Sequence, residues 1–189
     1  MFMKKIIYIA LCSAPLWLGT NSYGQSGTVA LLRIDNIQGE SMIAGHTNEI
    51  DILSYSQGIG SCNQVISTTN KTSTCKPIAS DISFMMVLDR SNIQLKNVIA
   101  SGKIIPTADF TYIKLGGTPL EYYKIHLENI NVTSIQESGS NERPTVSLSL
   151  AFSRIAWKYT MQDPNTGGAG EVTTGGWDFA ASKAFNYFQ

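Results

Sequence analysis

Apolar and polar residues alternate along most of this chain. Residues 28–35 place Ala30, Leu32 and Ile34 on one face, a period of two that predicts a strand. The stretch Glu-Ile-Asp-Ile-Leu-Ser-Tyr-Ser (49–56) repeats the pattern, with Ile50 and Ile52 on one side and Asp51, Leu53 and Tyr55 on the other. Gly58 and Gly60 end it. In residues 81–89, Ile82, Phe84, Met86 and Leu88 alternate, and methionines at that spacing belong to a core rather than to a metal or redox site. Between 91 and 101 the period changes. Leu95, Val98 and Ile99 share a helical face, Asp89 or Ser91 can cap its start, and Gly102 can end it.

Strands then return at about 107–115, 121–134 and 144–160, the first two separated by Gly116-Gly117. Tyr123, Ile125 and Leu127 alternate with Lys124, His126 and Glu128, so His126 is expected on a polar face, solvated or at a subunit contact. The next strand carries a break in its own rhythm. Val146, Leu148, Leu150 and Phe152 share one parity, whereas Ile155, Trp157 and Tyr159 share the other. Such a switch implies a bulge, or a strand passing between two sheet environments. A flexible loop at 165–171 precedes a short last strand within 173–182. Many strands with one short helix make a mainly β fold, and a closed or nearly closed barrel leaves the fewest exposed edges. No repeat or linker divides the chain.

The first residues are set apart from this pattern. Lys4 and Lys5 precede an apolar run from Ile6 to about Leu18, and small residues stand at Ser22 and Gly24. That layout predicts a secretory signal peptide over 1–24 and one domain over 25–189. The run is too short and too Pro-interrupted for a membrane anchor, so no membrane association is expected after its removal. Bulky Leu11 before Cys12 speaks against a lipid-anchored leader. Past this segment the chain has 12 basic and 14 acidic residues, a net charge near −2. Without a basic stripe, nucleic acid has no electrostatic basis as a partner. Charged residues make up only 15% of the chain, which suits a secreted or surface-assembled β-protein.

Two cysteines remain, Cys62 and Cys75, within a Ser-, Thr- and Asn-rich stretch at 58–80 that predicts a long loop or extended hairpin. An exported chain carries such a pair into an oxidising compartment, where a disulfide is expected over free or metal-bound thiols. It would close a loop of about 14 residues, worth on the order of 3 kcal/mol in the chain-entropy model.

The segment Asn36–Gly58 holds the residues most suggestive of chemistry: Glu40, Ser41, His46, Glu49 and Asp51. His46 could pair with Glu49 or Glu40 while Ser41 posed as a nucleophile. Ser41 lacks the strand–elbow–helix context and the G-x-S-x-G pattern, however, and no P-loop, G-x-G-x-x-G or H-E-x-x-H occurs. The chain is therefore expected not to be an enzyme, and no cofactor or metal is implied. Gly39, Glu40, Ser41, His46 and Glu49 are expected instead to fix a loop and to form subunit contacts.

The order of these segments resembles the Hcp family, the tube proteins of bacterial type VI secretion. The resemblance runs from about Val29 to Asp178. It rests on Gly39-Glu40-Ser41 with His46 and "EIDILSYSQG", on the D-x-S before the helix with "SGK" after it, and on Gly176-Trp177-Asp178. It implies a β-barrel of two sheets with one short helix alongside, assembling into stacked hexameric rings that carry small effectors in the lumen, with no catalytic residues. The family's ring-stacking loop maps onto residues 58–80. Two features depart from the family: the export signal and the cysteine pair. They leave a monomeric periplasmic or secreted binding or adaptor module on the same barrel as the alternative.

Overall fold

The computed structural model describes residues 27–61, 76–116, 118–139 and 143–189. The predicted leader 1–24 and the pair Cys62 and Cys75 lie outside the described residues. The first strands are β1 (Gly27–Ile34), β2 (Ile50–Ser56) and β5 (Ile82–Val87), with a two-residue ladder between β3 (Ile59–Gly60) and β4 (Ile78–Ala79). Helix α1 spans Ser91–Ser101. The N-cap position is Arg90, without a side-chain capping bond, rather than Asp89 or Ser91. The Asp89 carboxylate, just ahead of the helix, accepts the Ser91 N–H at 2.9 Å, and Gly102 ends the helix in the left-handed conformation, φ 64°. Then come β6 (Ile105–Leu115), the 19-residue β7 (Leu120–Ser138), β8 (Thr145–Ala151), β9 (Arg154–Gln162), β10 (Ala169–Asp178) and the short β11 (Lys183–Ala184).

A single long, bent hairpin closes the barrel. Beyond its midpoint β7 pairs with β8, from Asn131↔Ala151 to Ser138↔Thr145, and before it β7 pairs with β9, from Tyr123↔Tyr159 to Glu128↔Arg154. The bend falls at Asn129, whose φ is 52°, opposite Phe152-Ser153. There Ser153 N–H donates to the Glu128 carbonyl at 3.1 Å, and Asn129 Nδ2 donates to Ser153 Oγ at 2.9 Å. On one flank β6 joins the first half of β7, and on the other β5 joins β8. Strands β7-β6-β1-β2-β5-β8 thereby form a closed ring of six, and β9-β10-β11 continue from β7 as a flap outside it. The switch of parity between Leu150 and Ile155 marks the place where the strand leaves the barrel for the flap.

Core residues come from the inward face of every barrel strand, among them Leu32, Ile50, Phe84, Met86, Phe110, Ile125, Leu127 and Leu148. Leu95 closes the core from the helix, with Val98 packed beside it. Two expectations are corrected. Leu88 falls past the end of β5 and is exposed. Tyr55, expected on the polar side of β2, faces inward opposite Phe84 and packs on Phe110 at 4.6 Å between ring centres. The register of β2 against β5 shifts between Ile52 and Ser54, so Leu53 is the extra residue of a bulge and the alternation reverses after it. Burial and the neighbouring Tyr123 push the Tyr55 hydroxyl up to about 12.

Candidate functional site

The loop between β1 and β2 is held as tightly as a strand pair. Gly39 N–H donates to the Asn48 carbonyl at 2.8 Å, Ser41 N–H to Glu49 at 2.9 Å, and Asn48 N–H back to Ser41 at 3.0 Å. Gly39 is required by close approach, since a Cβ there would sit 2.3 Å from the Glu49 carbonyl oxygen. Gly45 and Asn48 supply the positive φ values, 83° and 66°, that turn the chain back.

Two clamps fasten this loop to the barrel. Before the helix, Arg90 donates from Nε to the Gly39 carbonyl at 2.6 Å and from Nη2 to Asn48 Oδ1 at 2.8 Å, while Glu40 Oε1 accepts the Arg90 N–H at 3.2 Å. On the opposite side His46 lies between two carboxylates, with Nδ1 3.0 Å from Glu49 Oε2 and Nε2 3.0 Å from Glu121 Oε1. Lys124 pairs with Glu121 in turn. Burial raises the Glu121 carboxyl, but Lys124 and His46 outweigh it and hold the group below the usual carboxylate range.

The predicted residues are therefore brought together, but as fasteners. Ser41 is 1% exposed, and its Oγ accepts the Ile43 N–H at 3.4 Å. His46 has both ring nitrogens engaged by carboxylates, so a Ser41–His46 pair does not form. What the loop presents outward is Met42, 87% exposed. Arg90, Glu121 and Lys124, which complete the clamps, escape sequence inspection because each lies some forty residues or more from the loop.

His126 is corrected as well. It is 2% exposed, not solvated. Its Nδ1 lies 2.6 Å from Asp109 Oδ1, and Arg33 holds the other Asp109 oxygen at 2.6 Å. The pattern continues into the flap, where Arg154 bridges Glu128 and Asp178 at 2.8 Å each. Asp178, of the Gly176-Trp177-Asp178 segment, also accepts the Ala181 N–H at 2.7 Å.

A different surface spans β2, β5, β8 and the far half of β7. Ser56, Ser83, Ser149 and Ser134 form one cross-strand row, and Ser54, Met85, Ser147 and Gln136 form the next. Ser83 and Ser149 hydroxyls meet at 2.9 Å. Neither row contains a charge or an aromatic ring. No group of three or more potential metal ligands occurs among the described residues.

Known proteins share this architecture. Residues 31–159 match the protein-family model described as type VI secretion system effector, Hcp. Protein hcp1 of Pseudomonas aeruginosa is 29% identical over 150 residues, covering 78% of this chain and 92% of that protein. The crystal structure of Hcp1 from Salmonella typhimurium is 32% identical and superposes with a TM-score of 0.69, over 84% of this chain and 99% of the other. A structure described as a type six secretion system protein shares the fold at 23% identity and a TM-score of 0.77, over 84% and 100%. With the closed six-stranded barrel, helix α1 and the Gly39-Glu40-Ser41 loop all in place, the chain belongs to the Hcp family of type VI secretion proteins.

Proposed function

We propose that this protein is a ring- and tube-forming subunit, hexameric in the manner the family resemblance implies, that is exported from a bacterium and carries small effector proteins in its lumen. The observation that carries the reading is the uncharged, serine-rich face across β2, β5, β8 and β7, six serines in two rows with Met85 and Gln136 among them. A wall that holds cargo and later releases it must be wet, uncharged and low in relief, so that no single contact becomes an anchor. Short serine side chains meet that need. Light scattering on the purified protein tests the assembly: a ring mass supports it, and a monomer at high concentration would sink it in favour of the adaptor alternative. Replacing Ser149 with Arg is expected to leave ring mass unchanged and to abolish cargo protection from proteolysis.

Export follows from the leader at 1–24, with a processed start at Gln25 as the expected result of N-terminal sequencing of secreted protein. In that compartment Cys62 and Cys75 are assigned to one disulfide within the segment bracketed by β3 and β4. Intact mass before and after reduction tests it, since two alkylatable thiols in the unreduced protein would refute the bridge. The loop residues Gly39, Glu40, Ser41, His46 and Glu49 support assembly indirectly in this reading, by fixing the loop that presents Met42.

A further inference from the structure

The outer sheet face has a trench cut by small residues. His126, Ala156 and Gly176 stand side by side in one row across β7, β9 and β10. A Cβ on Gly176 would lie 2.2 Å from the Phe185 carbonyl oxygen, so only glycine admits the backbone that crosses there. Phe185 N–H donates to the Gly176 carbonyl at 3.0 Å, and the Arg154 guanidinium sits 5.7 Å from the Phe185 ring centre. Two residues on, Tyr187 lies flat on His126, with ring centres 3.5 Å apart and planes 3° from parallel. Phe188 meets both rings edge-on. Tyr187 and Phe188 then border a recess shared with Arg33, His46 and Lys124. Segment 185–189 thus runs across the strands, from β10 at one end to the β1–β2 loop at the other.

The flap needs such a tie. Among the described residues, strands β9–β11 pair with the barrel along one seam, residues 123–128 of β7. Beyond it, Lys114 Nζ donates to Gln162 Oε1 at 2.5 Å and Phe179 packs against the core. A sheet paired along one seam can swing about it. Head-to-tail contacts close into a ring only when the rotation between neighbours has one value. We propose that residues 185–189 are a strap that locks the flap against the barrel, and that the locked flap is the form competent to close a ring. The second part rests on the ring-forming reading above. Asp178 launches the strap, since it accepts the Ala181 N–H while held by Arg154. Ser182, at φ 50°, turns the chain towards the trench.

The full chain, a variant lacking residues 185–189, Tyr187→Ala and Tyr187→Phe test this together. Three readouts apply: carbethoxylation of His126 by diethyl pyrocarbonate mapped by mass spectrometry, hydrogen exchange in residues 169–178, and mass by light scattering. The deletion and Tyr187→Ala are expected to make His126 reactive and to speed flap exchange about tenfold, the equilibrium worth of one lost aromatic stack. Both should lose ring mass while β1 and β5 keep their protection. Tyr187→Phe, which keeps the stack, should match the parent. Unchanged His126 reactivity and flap exchange would overturn the strap. A loosened flap with undiminished rings would overturn its role in closure. If the parent itself proves monomeric, the ring reading fails, and the strap stands or falls on His126 and exchange alone.

Discussion

At the scale of single residues, the polar groups of this protein are spent on fastening. Asp109 is the clearest case. Burial pushes its carboxyl up, but hydrogen bonds from His126 and Arg33 outweigh that and hold it below the usual carboxylate range. A group whose folded value is depressed contributes stability above its unfolded value, near pH 4, and that contribution is lost as pH falls through the folded value. Urea midpoints should therefore fall below about pH 4 in the parent and fall less steeply in Asp109→Asn. Parallel pH profiles would contradict this. Asp109→Ala leaves His126 Nδ1 buried without its partner and should cost about 2 kcal/mol at neutral pH. Sequence inspection found Gly39, Glu40, Ser41, His46 and Glu49 but not what holds them. Glu121 and Arg90 carry no local sequence signal that links them to the loop, and only the barrel brings them to it. His126 was misplaced for a related reason: alternation assigns a side chain to a face, but not what later covers that face.

At the scale of elements, local rhythm was a good guide wherever one side of a strand meets the core throughout. Helix α1 falls on 91–101, with Leu95 and Val98 against the core and Gly102 stopping it, but Ile99, expected on the same face, is exposed. The parity switch after Leu150 was legible too, since the inward residues change phase where β8 gives way to β9. The bulge at Leu53 was not legible. It inserts one residue against β5, and nothing in Ile-Leu-Ser-Tyr marks which residue is extra. The hairpin bend yields a second prediction. Asn129→Val places a β-branched residue at φ 52° and removes the bond to Ser153 Oγ. The strain alone should cost roughly 1–2 kcal/mol. Asn129→Gly, which accepts the dihedral freely, should cost clearly less. Equal thermal midpoints for the two variants would show that the bend tolerates an ordinary backbone.

For the whole molecule, closure is the decisive event, and β8 is the closing strand. It pairs with β5 on one side and with β7 on the other, and Leu148 lies at that junction with no exposed surface. Leu148→Ala should destabilise the protein by about 2–5 kcal/mol. The loss should appear as one cooperative transition by fluorescence and by far-ultraviolet circular dichroism alike. Separate transitions would mean that the two flanks of the barrel fold independently. The flap behaves differently at this scale, because it pairs with the ring of six strands along one seam and is otherwise held by side-chain contacts and the proposed strap.

The order of the sequence motifs resembles the Hcp family, and the sequence by itself also determined the mainly β class, the helix at 91–101 and most of the long strands. The class, the helix and the strands follow from periodicity and turn residues, which act over a few neighbours. Only the tertiary structure decided that β7 serves both barrel and flap, that the loop residues are clamped by Arg90 and Glu121, and that His126 is buried beneath Tyr187. Each of these joins residues distant in the chain, and the pairing of strands that brings them together is set by the packing of one shared core.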